Sequence, residues 1–191
     1  MAEDARWQRT KEEHAGAVSA FLAAAEAVPE ARWNEARGEG KWSPAQIAEH
    51  LRLTYATVSR DLRGETGFRV RVGPLRLLVL RLTVLRRMLR ERAFPKGAPA
   101  VREVRPAGGP FDRQPTLAGL RAEAESFMRG LDTLPGRRAR RFTHPFFGRL
   151  APQQGLELMV LHTHHHRGQL TQTSASAAGD PAGAAHPAAG P

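Results

Sequence analysis

The sequence predicts an all-α protein. Four segments carry apolar residues at helical spacing, two of them open on recognisable helix-start signals, and no segment sustains the alternation of a half-buried strand. A chain of 191 residues fits one domain with a tail, since domains most often run to roughly 100–150 residues. Residues 1-174 are expected to form a helical bundle. Residues 175-191 are almost wholly Ala, Gly and Pro, and a disordered tail is expected there because such a composition buries too little apolar area to order itself.

Thr10-Lys11-Glu12-Glu13 reads as a capping box that starts the first helix, whose stripe Ala17, Val18, Phe21, Leu22, Ala25 and Val28 runs to Pro29. Trp42-Ser43-Pro44-Ala45-Gln46 is a sharper start. Ser43 caps, Pro44 takes the first helical position where its missing amide costs nothing, and Gln46 closes the box. Ile47, Leu51, Tyr55, Val58 and Leu62 form the second stripe, and Gly64 ends it.

Pro74 to Arg92 is leucine-rich and carries Arg76, Arg81, Arg86, Arg87 and Arg90. At about 100° per residue Arg76, Arg87 and Arg90 share a face with Thr83, while Arg81 interrupts the other. So many arginines exclude a spanning segment, so an extra basic amphipathic helix is expected between the second and third helices. A packed or dimer-forming helix is the first reading, ahead of membrane-surface contact through Arg76 to Arg90 and of nucleic-acid contact.

Residues 94 to 115 carry Pro95, Pro99, Pro106, Gly108, Gly109, Pro110 and Pro115 and read as an irregular connection, of the kind that forms lids or stays disordered. Thr116 is expected to cap the third helix, with Leu117, Leu120, Ala124, Phe127, Leu131 and Leu134 as its stripe and Pro135-Gly136 as its end. A basic loop then leads through Thr143-His144-Pro145-Phe146-Phe147-Gly148-Arg149-Leu150 to Pro152, which opens the last helix.

Composition narrows the chemistry. The chain has no cysteine, which excludes disulfides, thiolate metal sites and a cysteine nucleophile, and favours a cytoplasmic location. Any thiol chemistry must use a borrowed thiol. The opening Met1-Ala-Glu-Asp-Ala-Arg-Trp is charged, so no export is expected. The net charge of +10 is mostly arginine, with Lys11, Lys41 and Lys96 as the lysines. No basic run is interleaved with aromatics, so the charge fits solvated helix faces and no specific nucleic-acid partner is expected. There is no glycine-rich phosphate loop, no His-Glu-x-x-His run and no Gly-x-Ser-x-Gly elbow.

The run Leu161-His162-Thr163-His164-His165-His166-Arg167-Gly168-Gln169-Leu170 carries the strongest chemical signal. On a helix His162 and His166 stack on one face with Leu158 and Leu170; His164 points about 160° away and His165 lies about 60° from His162. His50 sits on the shoulder of the second stripe, before Leu51 and three after Ile47. One imidazole from one helix facing two from another is how a bundle builds a metal centre. From the residues alone, His50 fits a hydrogen-bonded core histidine as well as a ligand. The pair likewise fits a histidine cluster, or an exposed patch, as well as half a site. Glu49, Asp61, Glu123, Glu125 and Glu157 are equivalent candidates for a supporting acceptor or general base.

Lys41-Trp42-Ser43-Pro44-Ala45-Gln46-Ile47-Ala48-Glu49-His50-Leu51, followed downstream by His144-Pro145-Phe146-Phe147-Gly148-Arg149-Leu150 and by the histidine run, resembles the DinB-like superfamily, the DinB/YfiT-like metalloenzymes, over about residues 7 to 174. The resemblance implies an up-down-down-up four-helix bundle whose ligands are His50, His162 and His166. It implies that Gln169 orients a ligand ring or bound water, and that His144, with His165 on the flank, stands at the site mouth. Two positions depart from the family pattern: Ala151 replaces a hydroxyl cap and Gly155 an aromatic residue, which is expected to weaken the last helix's start and widen the pocket.

The expected function is that of a metal-dependent enzyme. A divalent metal, zinc or nickel first, would activate a water or a low-molecular-weight thiol toward a small-molecule substrate, as in a hydrolase or a thiol S-transferase. A homodimer is expected. The alternative is a non-catalytic helical bundle binding an acidic partner or membrane surface.

Overall fold

The protein is described by a computed structural model that covers residues 2–95, 97, 100–134 and 142–178, with backbone alone over 172–178. In chain order its elements are α1 (Ala2–Glu26), a short α2 (Glu30–Trp33), α3 (Pro44–Leu62), α4 (Pro74–Leu80) and α5 (Arg86–Glu91), followed by α6 (Arg113–Asp132), a hairpin of β1 (Phe142–His144) and β2 (Gly148–Leu150), and α7 (Pro152–Ala178). The four long helices make an all-α bundle. α3 packs along α6 and α1 along α7. Phe21, Ile47, Leu51, Leu120, Phe127, Leu156 and Leu170 are fully buried where they meet, each worth about 1.5–3 kcal/mol of apolar transfer.

The second helix starts as its sequence predicts. Ser43 Oγ accepts the Gln46 amide at 3.2 Å, and Gln46 Oε1 accepts the Ser43 amide at 3.0 Å, so two orphan donors are satisfied reciprocally. The first helix does not start at Thr10. It begins at Ala2, eight residues earlier, and Thr10 lies inside it with its hydroxyl donating to the Arg6 carbonyl at 2.9 Å. Tertiary contact overrides the local signal: Trp7 is buried, and Arg6 reaches Glu157 of α7 at 2.7 Å.

The third long helix likewise starts early, at Arg113 with Asp112 in the cap position. Pro115 is tolerated because first-turn amides have no intrahelical acceptor. Thr116 is the first bonded amide, donating to the Asp112 carbonyl at 3.2 Å, and is buried rather than capping. Pro135-Gly136 lies outside the described residues.

The predicted basic helix runs from Pro74 to Glu91, with a π-helical turn over Arg81–Leu85 between α4 and α5. Leu85 and Met88 are buried, while Leu75, Leu78, Val79 and Leu82 are exposed. Arg81 is not stranded on the apolar side, because it donates to the Arg149 carbonyl at 3.2 Å. The proline-rich connection is partly ordered, with a 3-10 turn at Arg102–Val104 and a cis Gly109-Pro110 bond.

The segment read as a basic loop contains the hairpin. Three-residue strands are too short to show periodicity. Asp61 fixes it by accepting the Thr143 amide at 2.6 Å and hydroxyl at 3.2 Å, and Gly148, at φ +65°, makes the turn. The last helix extends to Ala178, four residues into the expected tail, in keeping with the helix propensity of alanine; residues 179–191 lie outside the described residues. Among the described residues no helix is long and apolar enough to cross a membrane.

A directed hydrogen-bond chain ties three bundle helices together. Thr163 Oγ1 donates to the Met159 carbonyl at 2.8 Å, so it accepts from the Tyr55 hydroxyl at 2.9 Å, and Tyr55 in turn accepts from His14 Nε2 at 2.9 Å. His14 is therefore neutral with its proton on Nε2, and burial pushes its pKa down from 6.5 to about 4. A depressed histidine contributes stability that is present above the unfolded pKa and lost as pH falls through the folded one. His14 should thus cost about 3 kcal/mol as pH drops from about 6.5 to below 4. Urea unfolding of the wild type and His14→Gln across that window should show a steeper acid loss in the wild type by about that amount; parallel curves would contradict the assignment.

Candidate metal centre

His50 stands in the second turn of α3, held in phase by the Ser43 capping box. His162 and His166 stand one turn apart on α7, whose rotation is fixed by Thr163 in the buried chain to Tyr55. These contacts bring the three imidazoles together. His162 Nε2 lies 2.9 Å from His166 Nε2 and 3.3 Å from His50 Nε2, and the three rings offer one nitrogen each within 4.8 Å of one another. Tetrahedral coordination at nitrogen distances of about 2.0–2.1 Å requires ligand atoms roughly 3.3 Å apart.

The outer nitrogens decide the protonation. His50 Nδ1 donates to the Val104 carbonyl at 2.7 Å, and His166 Nδ1 donates to Gln169 Oε1 at 3.0 Å. Two neutral rings with their protons on Nδ1 present lone pairs at Nε2, and both face His162 Nε2, which has at most one proton to give. Such a donor set fits a cation better than it fits itself. Burial lowers the pKa of His50 to about 4 against the opposing pull of the Val104 carbonyl. Burial first and the neighbouring imidazoles second hold His162 and His166 well below 6.5. All three rings are neutral at physiological pH, the form that ligates.

The histidines form the floor of a cavity of about 590 Å³. Trp42 packs on His50 with ring centroids 4.8 Å apart, and Phe94 covers His162 at 5.1 Å and His165 at 5.4 Å. Gln169 joins two rings, since its Nε2 also donates to His165 Nε2 at 3.1 Å. His144 lines the cavity from β1. Its Nδ1 accepts the Phe146 amide at 3.2 Å, its ring stacks on Phe147 at 4.4 Å, and burial lowers its pKa to about 4. His164 is exposed. Gly155 does not widen the cavity: a Cβ there would overlap the Phe142 ring, which fills the space.

Of the candidate carboxylates, Glu49 pairs with Arg52, Asp61 holds the hairpin and Glu157 pairs with Arg6. None of the described residues lining the cavity is acidic. Sequence reasoning missed the Val104 carbonyl, Phe94 and Arg37. Arg37 donates to the carbonyls of Trp42 at 2.9 Å and Gln169 at 3.1 Å. No sequence signal marks a backbone carbonyl in a proline-rich connection, and one arginine among many carries none.

Residues 14–170 match the model of the DinB superfamily. Among solved structures, the chain is similar to TT2238, a four-helix bundle protein, at 21% identity and a TM-score of 0.56, with 87% of this chain and 98% of that one covered. That likeness supports the fold. Among curated proteins none matches.

Chelator-stripped protein made without a histidine tag should take up one zinc, and His166→Ala should abolish tight uptake. Gln169→Leu keeps every ring and should weaken zinc by about 10–100-fold with the fold unchanged. Competition titration with a chromogenic chelator measures both, and unaltered affinity in Gln169→Leu would contradict its positioning role.

Proposed function

Since the chain belongs to the DinB superfamily, we propose that it is a metal-dependent enzyme in which His50, His162 and His166 hold a divalent cation, zinc or nickel, at the floor of the cavity. The observation that carries this reading is the convergence of three Nε2 atoms, two of them left as lone pairs by acceptors at Nδ1. When bound by three neutral imidazoles with an open side, such a cation supplies Lewis acidity and makes a water or thiol acidic enough to react near neutral pH.

The chain's own residues bind, orient and exclude water. Val104 and Gln169 fix the rings of His50 and His166, while Trp42 and Phe94 shield His50 and His162. His144, with Nδ1 taken by the Phe146 amide, keeps its proton on Nε2 and serves as a donor at the site mouth beside His165. Two chemistries share this frame. A hydrolase directs water at a small-molecule substrate. A thiol S-transferase directs a low-molecular-weight thiol at an electrophile, which suits a chain without cysteine. The same family membership supports an up-down-down-up order for α1, α3, α6 and α7, with the Pro74–Glu91 helix inserted between the second and third, and the cysteine-free composition supports a cytoplasmic setting.

Zinc- and nickel-loaded protein assayed with a panel of low-molecular-weight thiols and a generic aromatic electrophile should show metal-dependent turnover that differs by at least about tenfold between thiols, and His162→Ala should lose it. Metal-dependent ester hydrolysis without thiol would select the hydrolase version instead. Rates indifferent to both metal and thiol would overturn the enzyme reading.

A further inference from the structure

The cavity is charged in one sense. Its described lining contains three formal cations, Arg37, Lys41 and Arg76, and no Asp or Glu. The rest is largely apolar, with Phe68, Leu80, Val84, Met88 and Phe94 forming much of the wall. A space of about 590 Å³ lined in this way suits a molecule with an apolar body and a negative end.

Arg37 is the cation built for that end. It is half-buried and lines the cavity with His50, His162, His165 and His166. Its Nε and Nη1 donate to the carbonyls of Trp42 and Gln169, both neutral acceptors. Those bonds lock the guanidinium in place without neutralising it, and burial lowers its pKa because no carboxylate compensates the lost water. A guanidinium has five N–H donors in a planar fork that matches a carboxylate or a phosphate. Among the described residues neither Arg37 nor Arg76, which lines the cavity from α4, ion-pairs with Asp or Glu within 4.0 Å.

We propose that the cavity selects ligands bearing an oxyanion, carboxylate or phosphate, on an apolar body, with Arg37 anchoring the oxyanion beside the histidines and Arg76 adding attraction at the mouth. The proposal names the substrate class of the site described above and rests on that reading only for the chemistry done there. Selection itself needs no cation at the histidines.

The test is calorimetric titration of the full, chelator-stripped chain with decanoate, decyl phosphate and decanol, repeated after zinc loading. Decanoate or decyl phosphate should bind at least about tenfold more tightly than decanol in the stripped protein. That preference should fall to within about twofold in Arg37→Gln, persist in Arg37→Lys, and be reduced in Arg76→Gln, an exposed position that the fold does not depend on. Equal binding of decanol and the two anions by the stripped wild type would overturn the proposal whether or not any variant folds, as would an undiminished preference in a folded Arg37→Gln. A preference that arises only after zinc loading would assign the anion to the metal and overturn Arg37's role. Zinc uptake is read separately, so loss of the metal reading and loss of this one are distinguishable.

Discussion

The hydrogen bond from His50 Nδ1 to the Val104 carbonyl, 2.7 Å long, is the contact on which the site depends. A neutral imidazole has one proton and two places to put it; by accepting from Nδ1–H this carbonyl keeps the proton on Nδ1 and leaves Nε2 as a lone pair aimed at α7. The carbonyl is itself held. Val104 is buried against α3, and the preceding Glu103 pairs with Arg71 at 2.7 Å. Farther along, the Trp33 indole and the Asn34 amide group grip the backbone of Phe111. A proline-rich connection that packs little core thereby becomes the outer wall that orients the His50 ring.

Two buried imidazoles and a half-buried one facing one another are a poor way to stabilise a bundle. Each ring loses its hydration, and with His50 and His166 fixed as acceptors, His162 can satisfy only one of them. Apolar side chains of similar volume would pack without that deficit. The arrangement is a local departure from what favours folding, of the kind found where function sets the residue choice. The surrounding structure supports it from behind. The chain from His14 through Tyr55 and Thr163 to the Met159 carbonyl fixes the rotation of α7, and so fixes which histidines of the run turn inward.

How much was legible in the sequence depended on whether a feature was local. Ser43-Pro44-Ala45-Gln46 specifies its own helix start, and four-residue spacing places His162 and His166 on one face; Gln169 was marked by the family resemblance, and the structure sets it against His166. His50 could be put on the shoulder of a buried stripe by spacing, but spacing alone did not pair it with His162 and His166; the family resemblance did, and the structure brings the three rings together. The early starts of α1 and α6 were not legible, because they rest on Trp7 packing, on the Arg6–Glu157 pair and on a proline tolerated in a first turn. The ring of Phe142 filling the space over Gly155 was equally hidden, since it comes from a hairpin too short to leave a periodic trace. Arg37 became meaningful only once the carbonyls of nearby Trp42 and distant Gln169 were seen to hold it in place.

Three histidine nitrogens converge where a divalent cation would bind with one side open. X-ray absorption spectroscopy of the zinc-loaded protein tests this most directly. The first coordination sphere should hold three imidazole nitrogens at about 2.0–2.1 Å and one further light atom, reduced to two imidazoles when His50 is replaced by alanine. A sphere of oxygens alone, or an imidazole count unchanged by removal of His50, would contradict it.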